Sequence, residues 1–372
     1  MKVAIVHDFL FQFGGAEQVV ATLHEMFPDA PIFTSIYFKD KLPTNFAEMD
    51  IRPSSLMQNI PFIRRTHKHL FFLYPLIFQR IDLAGFDLII SSSSSFAKNI
   101  KKPKNAKHVC YCHNPARFIY KNDDYLKKYK MPFFYKKLIK MLLPFLKSKD
   151  VNNDQVDRFI ANSKRTAAEI KKRYHRDSEV IYPPIDTGIF KPSGKKEEYF
   201  VTLGRLIPYK RYDIVIEAFN RLGLPLKVIG AGPALKDLNE VKKANIQFLG
   251  YLPEKDVTAY LSGAKALIWP EESDFGMSPV EAAACGTPCV AFSRGGAAES
   301  IVEGVTGVFF DEQTPEALVE AINKFQSIKF DPNILRKHAI DKFDKSLFKK
   351  RFMEFLAKNN IDAVNRAGRV NL

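Results

Sequence analysis

The chain opens with an uninterrupted apolar run, Val3-Ala4-Ile5-Val6, followed by a glycine turn, Phe13-Gly14-Gly15-Ala16-Glu17. Apolar residues then recur at helical spacing: Val19, Val20, Leu23, Met26 and Phe27. A buried strand, a glycine loop and an amphipathic helix in that order begin an α/β unit with a parallel sheet. Further buried-strand runs fall at Leu88-Ile89-Ile90, Val109-Cys110-Tyr111-Cys112, Phe159-Ile160-Ala161 and Val180-Ile181-Tyr182. Each ends in polar or small residues, where such sheets carry their ligand loops. A second series follows Pro183-Pro184-Ile185-Asp186. It comprises Tyr199–Leu203 before Gly204-Arg205, Leu226–Ile229 before Gly230-Ala231-Gly232-Pro233, Ala266–Trp269 before Pro270, and Pro288–Phe292 before Arg294-Gly295-Gly296. The predicted fold class is therefore α/β, with two Rossmann-like, doubly wound domains facing across a cleft, at 1–185 and 186–345. Leu347, Phe348, Phe352, Phe355 and Leu356 predict a helix in the final segment, 346–372, capping one of the two.

Composition changes this picture little. Hydrophobic residues at 46% and charged residues at 26% exclude a disordered or collagen-like chain. The longest apolar run, Leu70–Phe78, is too short to cross a bilayer and contains Pro75. The start, Met1-Lys2-Val3-Ala4-Ile5-Val6-His7-Asp8, reads as a strand rather than a signal peptide. Four cysteines are too few for a disulfide scaffold, and a reducing cytoplasm is the expected location.

Charge is more telling. The formal net charge is +15, and residues 51–150 alone hold 20 basic against 5 acidic side chains. An excess this localised predicts one basic surface. It is densest at 101–150, where 14 basic residues face 3 acidic ones. There the stretch from Met131 to Lys147 mixes lysines with large apolar side chains, a composition suited to lying on an anionic membrane. A partly buried helix with solvated lysines fits it as well.

Several motifs carry candidate chemistry, each beside a plainer reading. Gly14-Gly15 lets a backbone approach a phosphate or sugar at a helix N-terminus, or makes an ordinary turn. Arg205 and Lys210 at a strand's carboxyl end suit a diphosphate leaving group, or form a solvated basic turn. Gly230-Ala231-Gly232-Pro233 is a second phosphate-friendly loop in the same domain. In Glu271-Glu272-Ser273-Asp274-Phe275-Gly276-Met277-Ser278-Pro279-Val280-Glu281, a polar loop runs into a helix beginning near Ser278-Pro279. Glu281 in its first turn would accept two hydrogen bonds from vicinal ribose hydroxyls, or close a capping box with Ser278. His113, after the strand Val109–Cys112, would bond a substrate hydroxyl. A metal site from His108, Cys110, Cys112 and His113 is a poor alternative, because alternate strand residues separate onto two faces. Cys285 and Cys289 read as core residues.

Assembled, these residues resemble the retaining nucleotide-sugar glycosyltransferases of family 4, which have the GT-B fold. The resemblance runs from Val3 to about residue 325. It includes Tyr111-Cys112-His113-Asn114-Pro115-Ala116-Arg117, Ala161-Asn162-Ser163-Lys164, Tyr182–Asp186 and Pro208-Tyr209-Lys210-Arg211-Tyr212-Asp213. It looks most like the bacterial mannosyltransferase-like members that build surface polysaccharides, including O-antigen, capsule and lipopolysaccharide. The resemblance implies that His113 meets the transferred sugar and that Arg205 and Lys210 hold the diphosphate. It places Gly14 and Gly15 beside the donor, with Gly230 and Gly232, and puts Glu17, Arg117 and Tyr120 on the acceptor side. The loop Glu272, Ser273, Asp274, Phe275, Gly276, Met277 and Ser278 would meet sugar or phosphate. Glu281, the second glutamate of an E-x7-E motif, would bind ribose, and Gly250-Tyr251-Leu252 would border the base. The last helix is implied to cross back to the first domain. One departure stands out: Ser273 occupies the position of the motif's first glutamate, with Glu272 one residue early.

The implied reaction is hexose transfer with retention, with no metal and no cofactor. The donor is a nucleotide-sugar, best matched to GDP-mannose with a UDP-sugar as the alternative, and the acceptor is a glycan or lipid-linked oligosaccharide. The implied location is peripheral on the inner face of the cytoplasmic membrane, with residues 101–147 on the anionic surface. No carboxylate pair of the glycosidase kind emerges. A basic nucleic-acid-binding protein is the rival from another class, but no nucleic-acid module appears, and no nucleic-acid partner is expected. A glycan phosphorylase or sugar-nucleotide epimerase on the same fold is a third reading.

Overall fold

The structure, a computed structural model, describes residues 1–120 and 133–361. Part of the proposed membrane-facing stretch, 121–132, and the end of the final segment, 362–372, therefore lie outside the described residues. The chain forms two compact units, Met1–Pro184 joined by the chain from Phe348 onward, and Ile185–Leu347.

The first unit is a seven-stranded sheet of β1 (Val3–His7), β2 (Ile32–Thr34), β3 (Ile51–Pro53), β4 (Leu88–Ser93), β5 (Lys107–Cys112), β6 (Arg158–Ala161) and β7 (Ser178–Val180). The strands are parallel and ordered β3-β2-β1-β4-β5-β6-β7. Consecutive residues of a strand point to opposite faces, so a run apolar at every position must be covered on both sides. Along β1, Val3 and Ile5 enter one core while Ala4 and Val6 enter another. The first core is closed by the helix Gly15–Met26 and by Phe348, Phe352, Phe355 and Leu356 from the helix Lys345–Lys358. That last helix begins in the second unit and becomes part of the first from Phe348. The opposite core takes in Phe78, Phe96 and Leu146.

The second unit holds β8 (Phe200–Leu203), β9 (Leu226–Ile229), β10 (Ile246–Gly250), β11 (Leu267–Trp269), β12 (Cys289–Phe292) and β13 (Gly307–Phe310). They are parallel in the order β10-β9-β8-β11-β12-β13. Its core packs Phe200, Val228, Ile268, Val290 and Val308 against Phe219, Leu318 and Ile322, from the helices Tyr212–Leu222 and Pro315–Gln326. Local signals set the helix ends. Gly223, at φ +69°, lets Tyr212–Leu222 stop by donating to the Phe219 carbonyl. Thr314 and Ser163 each accept a backbone N–H from the third residue after them, starting Pro315–Gln326 and Lys164–Tyr174.

Four strands, β2, β3, β10 and β13, were not distinguished by apolar runs. All lie at or next to a sheet edge, where short strands suffice and β3 tolerates Pro53. Strand β7 ends at Val180, so the run Val180-Ile181-Tyr182 mostly follows the strand; Ile181 still donates to the Ala161 carbonyl at 3.0 Å.

Candidate active site

In each sheet the strand order reverses about its first strand, between β1 and β4 and between β8 and β11. Such switch points leave a crevice at the carboxyl ends of the strands, where open α/β sheets bind ligands. Most of the candidate residues sit there.

In the second unit, β8 runs into Gly204-Arg205 and a 3-10 turn, Pro208–Lys210. Arg205 is exposed. Lys210 lies within 5.5 Å of the Trp269 ring centre, and its ammonium donates to Glu271 Oε1 at 2.7 Å. Glu271, just past β11, is 3% exposed, so the pair spans the switch point in a largely dry place. Sequence reasoning named Glu272 and Ser273 but missed Glu271 as Lys210's partner. A carboxylate beside a diphosphate-type lysine was the available signal.

The loop Gly230–Pro233 is bound to the Arg205 loop through its backbone. Leu206 N donates to Ala231 O at 2.9 Å, Ala234 N to Leu206 O at 3.0 Å, and Gly230 N to Gly250 O at 2.7 Å. A Cβ on Gly230 would fall 1.9 Å from the Gly204 carbonyl oxygen, and one on Gly232 would fall 2.3 Å from that of Leu206. This close approach alone requires glycine at both positions. Beside them a cavity of about 530 Å³ is lined by Gly232, Lys236, Asn239, Phe248 and Gly250. Tyr251 is 73% exposed, and Leu252 is partly buried.

The acidic loop rests on the second glycine pair. Gly296 N donates to Ser273 O at 2.8 Å, and a Cβ on Gly296 would lie 2.0 Å from Asp274 O. Ser273 is buried, and its hydroxyl accepts from Trp269 Nε1 at 3.4 Å. Glu272 and Asp274 are partly buried, and Phe275 packs against Phe343. The helix begins one residue earlier than expected, as Met277–Ala284, capped by the backbone of Gly276 at φ +84° with no side-chain cap bond. Ser278 is therefore inside the helix and forms no capping box. Glu281, 6% exposed, sits beyond the first turn rather than in it. The left-handed Gly276 took over the cap position that the Ser-x-x-Glu spacing suggested.

In the first unit, the glycine turn delivers Glu17 into the first turn of Gly15–Met26, where a carboxylate complements the helix dipole. Gly14 is the N-cap, in extended conformation, and a Cβ there would meet only Glu17 Oε2 at 3.3 Å. Glu17 is 2% exposed, with Oε1 3.7 Å from His7 Nε2. His7 ends β1. Its Nδ1 lies 3.0 Å from the Ser92 carbonyl oxygen and 3.1 Å from Ser92 Oγ, and its buried Nε2 has no hydrogen bond among the described residues. Ser92 Oγ lies 2.8 Å from His113 Nε2. Burial, and secondarily His7, hold the His113 imidazole down to about 3, so it is neutral across the physiological range. Asp8 accepts from the amides of Ser94, Phe96 and Ala97 at 2.6–2.8 Å, fixing the serine loop after β4. Neither His7, Ser92 nor Asp8 stood out in the sequence, because each is embedded in an apolar run or a serine string.

The remaining candidates are more peripheral. Arg117 and Tyr120 share the short helix Arg117–Tyr120, and the Arg173 guanidinium lies 4.4 Å from the Tyr120 ring centre. His108 bonds Ser91 Oγ and the Gln155 carbonyl, and burial lowers it to about 4. All four cysteines are buried and unpaired. No group of three or more His, Cys, Asp or Glu side chains is placed to hold a metal among the described residues. None of the helices among them is long and apolar enough to cross a membrane.

Two parallel Rossmann-like sheets in one chain, each with polar residues at its switch point, are the architecture of the GT-B glycosyltransferases. The family model "Glycosyltransferase Family 4" matches residues 13–188, and "Glycosyl transferases group 1" matches residues 188–342. The chain is a glycosyltransferase of this group 1/family 4 type. It is 25% identical to the mouse α-1,3/1,6-mannosyltransferase ALG2, over 73% of this chain and 74% of that protein. It is also 25% identical to an uncharacterized glycosyltransferase, MJ1178, of Methanocaldococcus jannaschii, over 72% and 74% of the two chains. In fold it is similar to Anabaena HepE, solved with UDP, at a TM-score of 0.72 and 17% identity, covering 96% of this chain and all of that one.

Proposed function

We propose that this protein is a retaining hexosyltransferase that moves a sugar from a nucleotide-sugar to a glycan acceptor without a metal or resident cofactor. The observation that carries the reading is the Arg205–Lys210 turn at the β8/β11 switch point, with the Gly230–Pro233 loop laid against it. A guanidinium and an ammonium there meet the charge that develops on a departing diphosphate. Glu281, buried on the following helix, takes the ribose, and the cavity by Phe248 and Gly250 takes the base. His113, a neutral imidazole, orients a hydroxyl of the transferred sugar by hydrogen bonding rather than acting as an acid. In this reading the Gly14-Gly15 turn borders the donor diphosphate and the acceptor, and Glu17 faces the acceptor side.

The preferred donor is GDP-mannose, in keeping with the likeness to a mannosyltransferase; HepE, solved with UDP, keeps a UDP-sugar as the alternative. The acceptor proposed is a lipid-linked oligosaccharide of a surface polysaccharide. Helix Phe133–Val151 favours the membrane-bound form of this reading. Leu146 is buried, whereas Leu138, Met141 and Phe145 are 42%, 68% and 40% exposed beside exposed Lys137, Lys140 and Lys147. That face matches an anionic lipid surface. Titration calorimetry with GDP, UDP and ADP tests the donor site, with GDP expected to bind tightest. Anomeric NMR of the product in EDTA tests retention and metal independence. No binding of any of the three nucleotides would defeat the proposal. Equal, negligible flotation with anionic and neutral liposomes would defeat its membrane component.

A further inference from the structure

The hydrogen bonds around Ser92 assign a proton. Ser92 Oγ is fully buried and lies within bonding distance of two imidazole nitrogens, His7 Nδ1 at 3.1 Å and His113 Nε2 at 2.8 Å. A hydroxyl has one proton to donate and two lone pairs. His7 Nδ1 also faces the Ser92 carbonyl oxygen at 3.0 Å, and a carbonyl can only accept. His7 Nδ1 must therefore carry a hydrogen, whether the ring is neutral or charged. The Ser92 hydroxyl cannot donate to a nitrogen that already bears a proton, and among the described residues its other partner is His113 Nε2, which therefore accepts the buried hydrogen. His113 is neutral, so with Nε2 accepting, its own proton lies on Nδ1.

We propose that Ser92, backed by His7, is a positioning residue that fixes His113 as its Nδ1–H tautomer, making it a hydrogen-bond donor at that nitrogen. The arrangement joins the end of β1 to β4 and β5 across the switch point, since His7 and Cys112 close β1 and β5, Ser92 is the last residue but one of β4, and His113 follows β5 directly. Main-chain bonds hold the His113 backbone on both sides: its N–H donates to Ser93 O at 2.8 Å, and its carbonyl accepts from Thr166 Oγ1 at 3.2 Å. Among the described residues, Nδ1 itself takes no hydrogen bond, so its proton is available to a ligand oxygen. A donor at this point selects for an acceptor atom on the bound group, such as a sugar hydroxyl or ring oxygen. The catalytic consequence rests on the proposed transferase reading; the tautomer does not.

The test is ¹⁵N NMR of the histidine side chains in the full-length protein at pH 7.5, with His113 assigned from His113→Gln. The expected spectrum shows a protonated Nδ1 and a pyridine-like Nε2. In Ser92→Ala that pattern should collapse to the Nε2–H form or to fast exchange, and Ser92→Thr, which keeps the hydroxyl, should restore it. Circular dichroism and the unfolding midpoint identify a Ser92→Ala chain that has lost its fold, in which case Ser92→Cys replaces it. A protonated Nε2 in the unaltered protein, or a His113 spectrum unmoved by loss of the hydroxyl, overturns the assignment. Where the protein turns over a nucleotide-sugar, Ser92→Ala should lower kcat about ten-fold or more with donor KM little changed, and Ser92→Thr should recover it. An inactive protein with the expected spectrum would reject the transferase reading and keep the tautomer. Normal kcat with an altered tautomer would remove His113 Nδ1–H from the reaction.

Discussion

The two units share a strand order but not a way of building the switch point. The first buries ionisable groups: His7, Asp8, Glu17, Lys98, His108, His113 and Asp150 are all under 9% exposed. The second brings backbones together through glycine, with Gly230, Gly232 and Gly296 each leaving no room for a side chain. One unit is thus fixed by paired polar side chains and the other by close-packed loops. The contrast has a physical basis, because side-chain hydrogen bonds orient a few atoms while glycine lets two backbones pack in direct contact. It also means that the two units should fail under different insults.

The largest effect should come from Lys98. Its ammonium, 1% exposed, bonds Asp150 Oδ1 at 2.6 Å, Ser95 O at 3.2 Å and Asn99 Oδ1 at 3.4 Å, while Tyr174 donates to both oxygens of Asp150. Lys98→Ala leaves a buried carboxylate without its cation and should cost about 3–5 kcal/mol in urea unfolding. A loss under about 1 kcal/mol would mean that the first unit does not depend on its buried charges. Gly230→Ala tests the second unit in the same way. At φ +132°, with a carbonyl oxygen 1.9 Å from the new Cβ, it should lose roughly 3 kcal/mol and nucleotide binding with it. Unchanged stability would show that the loops part freely.

Arg205 is exposed, so Arg205→Ala should leave the unfolding midpoint nearly unchanged while kcat falls about a hundred-fold. Near-normal transfer by this variant would remove Arg205 from the mechanism. Acid should separate the units next. His108, lowered by burial to about 4, is neutral in the folded chain but takes up a proton below about 6.5 when unfolded. Its contribution is complete above pH 6.5 and is lost as pH falls toward 4, on the order of 2–3 kcal/mol, with His113 acting in the same direction. Amide hydrogen exchange at pH 7.5 and 4.5 should therefore show the first sheet opening before the second; the reverse order would sink the comparison. The smallest effect concerns the Lys210–Glu271 pair at the second switch point. Glu271→Gln releases Lys210 from a carboxylate, and calorimetry should find nucleoside diphosphate bound about three-fold more tightly. Weaker binding would instead make Glu271 part of the ligand site.

How legible all this was depended on the kind of signal. Strands buried on both faces, such as β1, β4 and β12, announce themselves as apolar runs, and with the glycine turns they were enough for two α/β units. Short edge strands such as β2 and β3 carry too few apolar residues to stand out. Among site residues, Arg205, Lys210 and His113 could be named because charged or titratable side chains follow a strand end. Their partners could not. Glu271 meets Lys210 across 61 positions and Ser92 meets His113 across 21, and no local pattern records such distances.

The sequence by itself determined the class of fold, through continuous apolar runs that only a covered parallel sheet can bury, and the basic character of residues 51–150. Tertiary structure decided what strand order alone can bring together. It closed the first core with Phe348, Phe352 and Phe355, gave the helix cap to Gly276 instead of Ser278, and set Glu271 against Lys210. It also laid His7, Ser92 and His113 in one line. Apolar patterning follows a period of two or 3.6 along the chain, whereas the pairing of polar atoms depends on which strands become neighbours.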